Sequence, residues 1–167
     1  MALGSRGERM TPEALSWALV LAHLSATLFM TGLIWFVQVV HYPLKSSVGD
    51  ATFRDYQARH VTRTGWVVGP PMLIEAMSAA LLALAPPNDA AALPAIIGLI
   101  TLVVVWAATA LYSVPAHGRL AAGFDQVTHR RLVRSNWVRT WGWSLRSGVA
   151  IWILMTMQGA LNTLTGA

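Results

Sequence analysis

Four long apolar runs constrain this chain more than any other feature. A helix of about 20 mostly apolar residues crosses about 30 Å of hydrocarbon, and runs of that kind cover approximately 14–40, 66–85, 95–114 and 137–161. The fourth is interrupted by Arg139 and Arg146. Hydrophobic residues make up 55% of the 167 and charged residues only 11%, against about 25% charged in an ordinary soluble domain. That deficit argues against a soluble enzyme and a disordered chain. The net charge of +5 does not read as nucleic-acid binding, because the basic residues flank the apolar runs, which is a membrane pattern. With no Cys, disulfides and thiolate chemistry are excluded. The expected fold is all-α: one integral membrane domain over 1–167, a four-helix bundle with short amphipathic segments in two long loops.

Thr11-Pro12-Glu13 opens the first run as an N-cap, a proline at the first helical position and an acid suited to the helix dipole. The run is longer than a signal-peptide core and no small-x-small cleavage site closes it, so a retained anchor is expected. Lys45, Arg54, Arg59 and Arg63 fill the first loop; Arg119, Arg130, Arg131 and Arg134 fill the third. The second loop and the C-terminus have no basic residue. The positive-inside rule then places both long loops in the cytoplasm and both termini outside, as in a bacterial inner membrane with periplasmic ends.

The two halves share a plan. In each, a helix ends near Tyr, Pro and His (His41-Tyr42-Pro43; Tyr112, Pro115, His117). A basic segment with Phe and His follows (Phe53, His60; Phe124, His129), then an Arg-Thr pair before Trp. One ionisable residue lies near the middle of each closing helix, Glu75 or Arg146. Such a repeat is parallel, about an axis along the membrane normal, although its spacings differ between the halves.

Polar residues in a membrane helix face the bundle interior. Ser16, His23, Thr27, Thr31, Ile34, Gln38 and His41 fall within about 80° of arc at 3.6 residues per turn. Gly98, Thr101, Ala108, Thr109 and Tyr112 repeat the pattern more mildly. His129, Leu132, Asn136, Arg139, Trp143, Arg146, Ala150 and Ile153 form a third stripe. These stripes read either as interhelical hydrogen bonding or as a hydrated, ligand-holding cavity. Glu75 and Arg146 lie at similar depth, roughly 12–15 Å inside, and are expected to interact directly or through water.

His41, His60 and His117 are expected to gather at the cytoplasmic mouth with Gln38, Tyr42, Tyr112, Asn136 and Arg139. They contain no HxxxH-type spacing, so the reading is hydrogen-bonded histidines with no metal set. A metal or haem site on the three is the alternative, and the residues name no cofactor. His129, among Arg130, Arg131 and Arg134, is expected near anionic headgroups. Trp17, Trp66, Trp137 and Trp141 read as an interfacial belt. Gly65, Gly69, Ser144 and Gly148 read as close helix contacts, and Pro70-Pro71 as a kink below Glu75.

Several motifs resemble known groups. Phe36-Val37-Gln38-x-Val40-His41-Tyr42-Pro43, Gly69-Pro70-Pro71-Met72-Leu73-x-Glu75 and Val114-Pro115-x-His117-x-Arg119-Leu120 resemble a group of small uncharacterised bacterial four-span membrane proteins. So does Asn136-Trp137-x-Arg139-Thr140. The C-terminal third is also similar to the anthrone-oxygenase-like family, with its Val-Pro-x-Asn-x-x-Leu and Asn-x-x-Arg-Thr elements. That resemblance implies a four-helix architecture and, for some members, oxygenation of polycyclic anthrones without an evident cofactor. His117 stands where Asn is usual.

Two functions stay open. One is a small membrane enzyme acting on a hydrophobic small molecule from a polar pocket. Its candidate catalytic residues are His41, His60, Glu75 and Arg146, and its candidate binding residues are Gln38, Tyr42, Tyr112, His117, Asn136 and Arg139. The other is a non-enzymatic accessory subunit or small transporter with a structural polar core. The expected partners are the lipid bilayer, a hydrophobic small molecule, and a second copy or a membrane complex; nucleic acid is not among them.

Overall fold

The structure, a computed structural model, describes residues 10–165. Among them there is helix and no strand. Helix α1, Pro12–Phe36, is capped as its sequence suggests: the Ala14 amide donates to Thr11 Oγ1 at 3.2 Å. It passes through a π-helical turn, Val37–His41, into the short α2, Tyr42–Leu44, and a 3₁₀ turn, Lys45–Ser47. Helix α3, Asp50–Leu84, leads to α4, Asp89–Ala108, whose first turn is capped by Asn88. A second π-helical turn, Thr109–Ser113, joins α4 to α5, Val114–Leu120. The 40-residue α6, Gln126–Thr165, completes the chain.

The helices exceed their apolar cores. The expected amphipathic loop segments are not separate elements: they form the first turns of α3 and α6, so each long loop shrinks to a tight turn. Basic residues are good helix formers, so charge marks where the apolar run stops and not where the helix does. Helix α3 continues through Pro70-Pro71. The two carbonyls the prolines cannot pair belong to the exposed residues Trp66 and Val67.

The long helices form a ring of contacts, α1 on α3 and α6, and α4 on α6 and α3. Helices α1 and α4 are therefore diagonal partners, as are α3 and α6. The close approaches are not at Gly65, Gly69 or Gly148, which have open space around them. They are at Gly142, against Val105 of α4, and at Gly98, where an added Cβ would lie 3.4 Å from Val149 of α6.

Both halves follow one blueprint. Glu75 and Arg146 are separated by 71 positions, and so are Phe53 and Phe124, and Trp66 and Trp137. Each π-turn stands two residues before a proline, Pro43 or Pro115. Its wide hydrogen bond, from Tyr42 N–H to the Val37 carbonyl or Val114 N–H to the Thr109 carbonyl, absorbs one extra residue. That residue rotates everything after it. On an unbroken helix His41 and Tyr112 would face inward. Instead the inward positions pass to their neighbours, so Tyr42 and Ser113 are buried and Tyr112 is 55% exposed.

Polarity is inverted relative to a soluble protein. Leu28, Phe29, Val103, Leu111 and Met155 face outward, while His23, Thr27, Gln38, Glu75, Asn136 and Arg146 are buried. Among the described residues three helical stretches are long and apolar enough to cross a membrane: Pro12–Ser47, Asp50–Leu84 and Asp89–Leu120.

Candidate functional site

Two polar clusters occupy the interior at different levels. At the centre, α3 and α6 meet across the diagonal through Glu75 and Arg146. Arg146 Nε donates to Glu75 Oε1 at 2.8 Å, and the side chains are 1% and 0% exposed. Thr27 Oγ1 donates to the same oxygen at 3.0 Å, and Trp143 Nε1 to Oε2 at 3.0 Å. Arg146 Nη1 donates to the Gly98 carbonyl of α4. All four long helices thus contribute to one carboxylate–guanidinium centre, whose carboxylate has no oxygen left free. Beside it, His23 Nδ1 lies 2.8 Å from Ser78 Oγ. Thr31 Oγ1 meets the Trp143 carbonyl at 3.0 Å and Ser147 Oγ at 2.7 Å.

The second cluster lies at the basic end, where α1 and α4 finish. Lys45, counted among the basic residues of the first loop, is 0% exposed. Its ammonium donates to Gln57 Oε1 at 2.8 Å and lies 5.6 Å from the centre of the Tyr42 ring. Because an ammonium only donates, this bond fixes the Gln57 amide with its NH₂ turned toward His117. Gln57 Nε2 donates to His117 Nδ1 at 3.1 Å, so the His117 proton sits on Nε2, the other nitrogen. That nitrogen is 2.9 Å from the Tyr42 hydroxyl and donates to its oxygen. The Tyr42 O–H hydrogen is left to donate elsewhere.

Further bonds surround this chain. His41 Nε2 and His60 Nδ1 are 3.0 Å apart, their rings stacked at 4.5 Å. Thr64 Oγ1 is 3.1 Å from His60 Nδ1. Asn136 donates to Gln38 Oε1 at 2.8 Å and accepts from Arg139 Nη1 at 2.9 Å. His129, expected among headgroups, is buried, with Nε2 2.8 Å from the Tyr42 carbonyl. Among the described residues no group of three or more His, Asp or Glu converges as a metal-ligand set.

The expected grouping is therefore partly redrawn. Gln38, Tyr42, His117, Asn136 and Arg139 come together as the sequence suggests, and His41 pairs with His60. Tyr112 does not join them, because the π-turn carries it outward. Glu75 and Arg146 bond Thr27, Trp143 and the Gly98 carbonyl, apart from Gln38 and His41. Sequence reasoning missed Lys45, Gln57, Ser113 and the bonding role of Trp143. Only the Pro that follows each π-turn hinted at the shift in phase.

Three openings matter. His41, Asp55, Tyr56, Arg59, His60 and Arg63 line an open groove of about 550 Å³. Tyr112, Arg119, Arg131, Leu132, Arg134 and Ser135 line another of about 570 Å³. At the 71-residue offset, His60, Arg63 and Thr64 of the first correspond to Arg131, Arg134 and Ser135 of the second. The third opening is a small cavity of about 40 Å³, bordered by Tyr42, His60, Thr64 and Arg139 among apolar side chains. His60 and Thr64 separate it from the first groove.

No family model, curated protein or solved structure matches the chain.

Proposed function

We propose that this chain is an integral membrane four-helix bundle with its basic end in the cytoplasm and both termini outside. Outward-facing apolar side chains and an inward polar core support that reading, as do the three apolar stretches and the sorting of arginines to one end. In a bacterium the location is the inner membrane. Within this frame the chain is a small enzyme acting at the cytoplasmic surface on a hydrophobic or amphipathic molecule.

The observation that carries the enzyme reading is the His41–His60 pair. Both rings are half-buried in the wall of the 550 Å³ groove, and one of their nitrogens faces the other at 3.0 Å. A neutral imidazole so placed takes a proton from an acidic O–H or C–H. Arg59 and Arg63 on the same wall hold the anion that results. A substrate with an acidic C–H, such as the polycyclic anthrones of the resembled family, suits that chemistry. The test is purification in mild detergent, incubation with a membrane extract, and mass spectrometry of what is retained or consumed. The intact protein is expected to retain or convert a species that the His41→Ala/His60→Ala double variant does not. Identical profiles would sink the enzyme reading.

A specific observation favours a second reading. The charge-balanced Glu75–Arg146 centre has the form of a clamp, as an accessory subunit in a larger membrane complex requires. A membrane subunit that co-purifies at fixed stoichiometry, indifferent to the histidine variants, would favour it.

A further inference from the structure

The basic-end cluster holds two buried cations and no carboxylate. Lys45 is 0% and Arg139 8% exposed. Lys45 makes one hydrogen bond, to a neutral amide. Arg139 Nη1 bonds Asn136 Oδ1 at 2.9 Å and Ser113 Oγ at 3.3 Å, both neutral, and its Nε has no partner at all. Among the described residues the one ion pair is Arg146–Glu75, so neither cation is balanced. An isolated buried charge is expensive unless it is paired. Something negative is called for at this level.

Space and donors for it are present. The small cavity has a volume of about 40 Å³, above the roughly 10–15 Å³ that holds one water molecule. That leaves room for a small anion. Arg139 borders it, its guanidinium neighbours the Tyr42 hydroxyl, and its buried Nε–H has no partner. Tyr42 lines it too, with an O–H hydrogen freed by the Lys45–Gln57–His117 chain. Met30, Leu33, Ile34, Val37 and Val68 make up the rest of the wall. Charged and hydroxyl donors against an apolar wall make a receptacle for a weakly hydrated monovalent anion and a poor one for a cation.

We infer that this cavity is a binding site for a single small halide-sized anion, chloride under physiological conditions, held by Arg139 and the Tyr42 hydroxyl and reached past His60 and Thr64. The anion balances Arg139 directly and Lys45 through the intervening His117 and Tyr42. The site does not depend on the groove being catalytic, because neither Arg139 nor Tyr42 lines that groove.

Thermal unfolding of the full chain in detergent tests this, with sodium chloride set against sodium gluconate at constant ionic strength. Chloride and bromide are expected to raise the midpoint saturably by about 2–4 °C, whereas gluconate, too large for the cavity, has no effect. Arg139→Gln should abolish the chloride response and Tyr42→Phe should weaken the apparent affinity about tenfold. Arg119→Gln/Arg134→Gln, on the outer surface, should leave the response intact. If Arg139→Gln does not fold, chloride-35 line broadening on the intact protein, competed by bromide, gives an independent reading. Equal midpoints in chloride and gluconate overturn the proposal and leave only water in the cavity. A response that survives Tyr42→Phe unchanged, or that vanishes with the surface arginines, overturns it equally.

Discussion

The centre of the bundle and its basic end both bury cations, and they treat them in opposite ways. Arg146 is matched by a carboxylate that also takes bonds from Thr27 and Trp143. Lys45 and Arg139 are matched only by neutral groups. The central pair is balanced in charge and both carboxylate oxygens are bonded, although Arg146 Nη2 has no partner; its value is geometric, because it fixes α3 against α6 across the diagonal. An unbalanced cluster is costly to keep, and such cost persists where the surrounding fold over-determines it, commonly at functional sites. Depth in the membrane was the obvious guide to function in the sequence. The contrast between the clusters makes charge balance the better guide.

The largest expected effect comes from breaking the central pair. Glu75→Leu or Arg146→Leu alone leaves a buried charge without its partner and should cost about 3–5 kcal/mol. The double variant Glu75→Leu/Arg146→Leu should recover most of that loss, since apolar replacement of a buried pair is often neutral. Unfolding midpoints of the four proteins in one detergent measure the coupling. If the double variant is as unstable as the sum of the singles, the pair is not the clamp described.

At the basic end the sign reverses. Lys45→Met removes a buried ammonium that no carboxylate stabilises, and leaves Gln57 Oε1 without a donor. The unpaired amide oxygen costs about 1–3 kcal/mol, while relief of a buried charge returns several. A net stabilisation of about 1–3 kcal/mol is therefore expected, together with loss of any activity that needs the ordered His117–Tyr42 chain. Destabilisation by as much as Glu75→Leu would show that the two clusters are alike after all.

A smaller effect separates the two tyrosines that flank the π-turns. Tyr42→Phe removes the acceptor of the His117 bond and should cost about 0.5–1.5 kcal/mol. Tyr112→Phe, on the exposed side, should stay within about 0.5 kcal/mol of the original. Equal losses would mean that the π-turns do not set which residue faces inward.

Those turns mark where the sequence ceased to be legible. Gln38, before most of the rotation, sits where a 3.6-residue period puts it, and Glu75 and Arg146 meet because mid-helix charges have few ways to be satisfied. Beyond Val37 and Thr109 the period gains a residue, so Tyr42 and Ser113 take the positions that a regular helix assigns to His41 and Tyr112. Lys45 was hidden for a second reason. A lysine among Arg54, Arg59 and Arg63 has the composition of a solvated turn, and only the packing of α2 against Phe53 and Leu120 encloses it. The 71-residue correspondence of the halves was visible as paired motifs. Its register was obscured because Pro43 and Pro115 are 72 apart, so the turn after the second is one residue shorter.

The smallest effect isolates a charge at the basic end that water does reach. Asp125 precedes α6 and accepts from the Thr128 amide at 2.7 Å. Hydrogen bonds from Thr128, through its side chain and then its backbone, hold the Asp125 carboxyl below its ordinary value. A carboxyl whose acidity is increased by folding stabilises the fold above its unfolded value, near pH 3.9. It loses that contribution as pH falls through the lower folded value. Asp125→Asn keeps a capping oxygen without the charge. The variant should therefore unfold slightly below the original at pH 7, with the gap closing only as pH drops under about 4. A gap that closes at higher pH would mean that another group titrates first, and the half-buried His41 and His60 would be the next to examine.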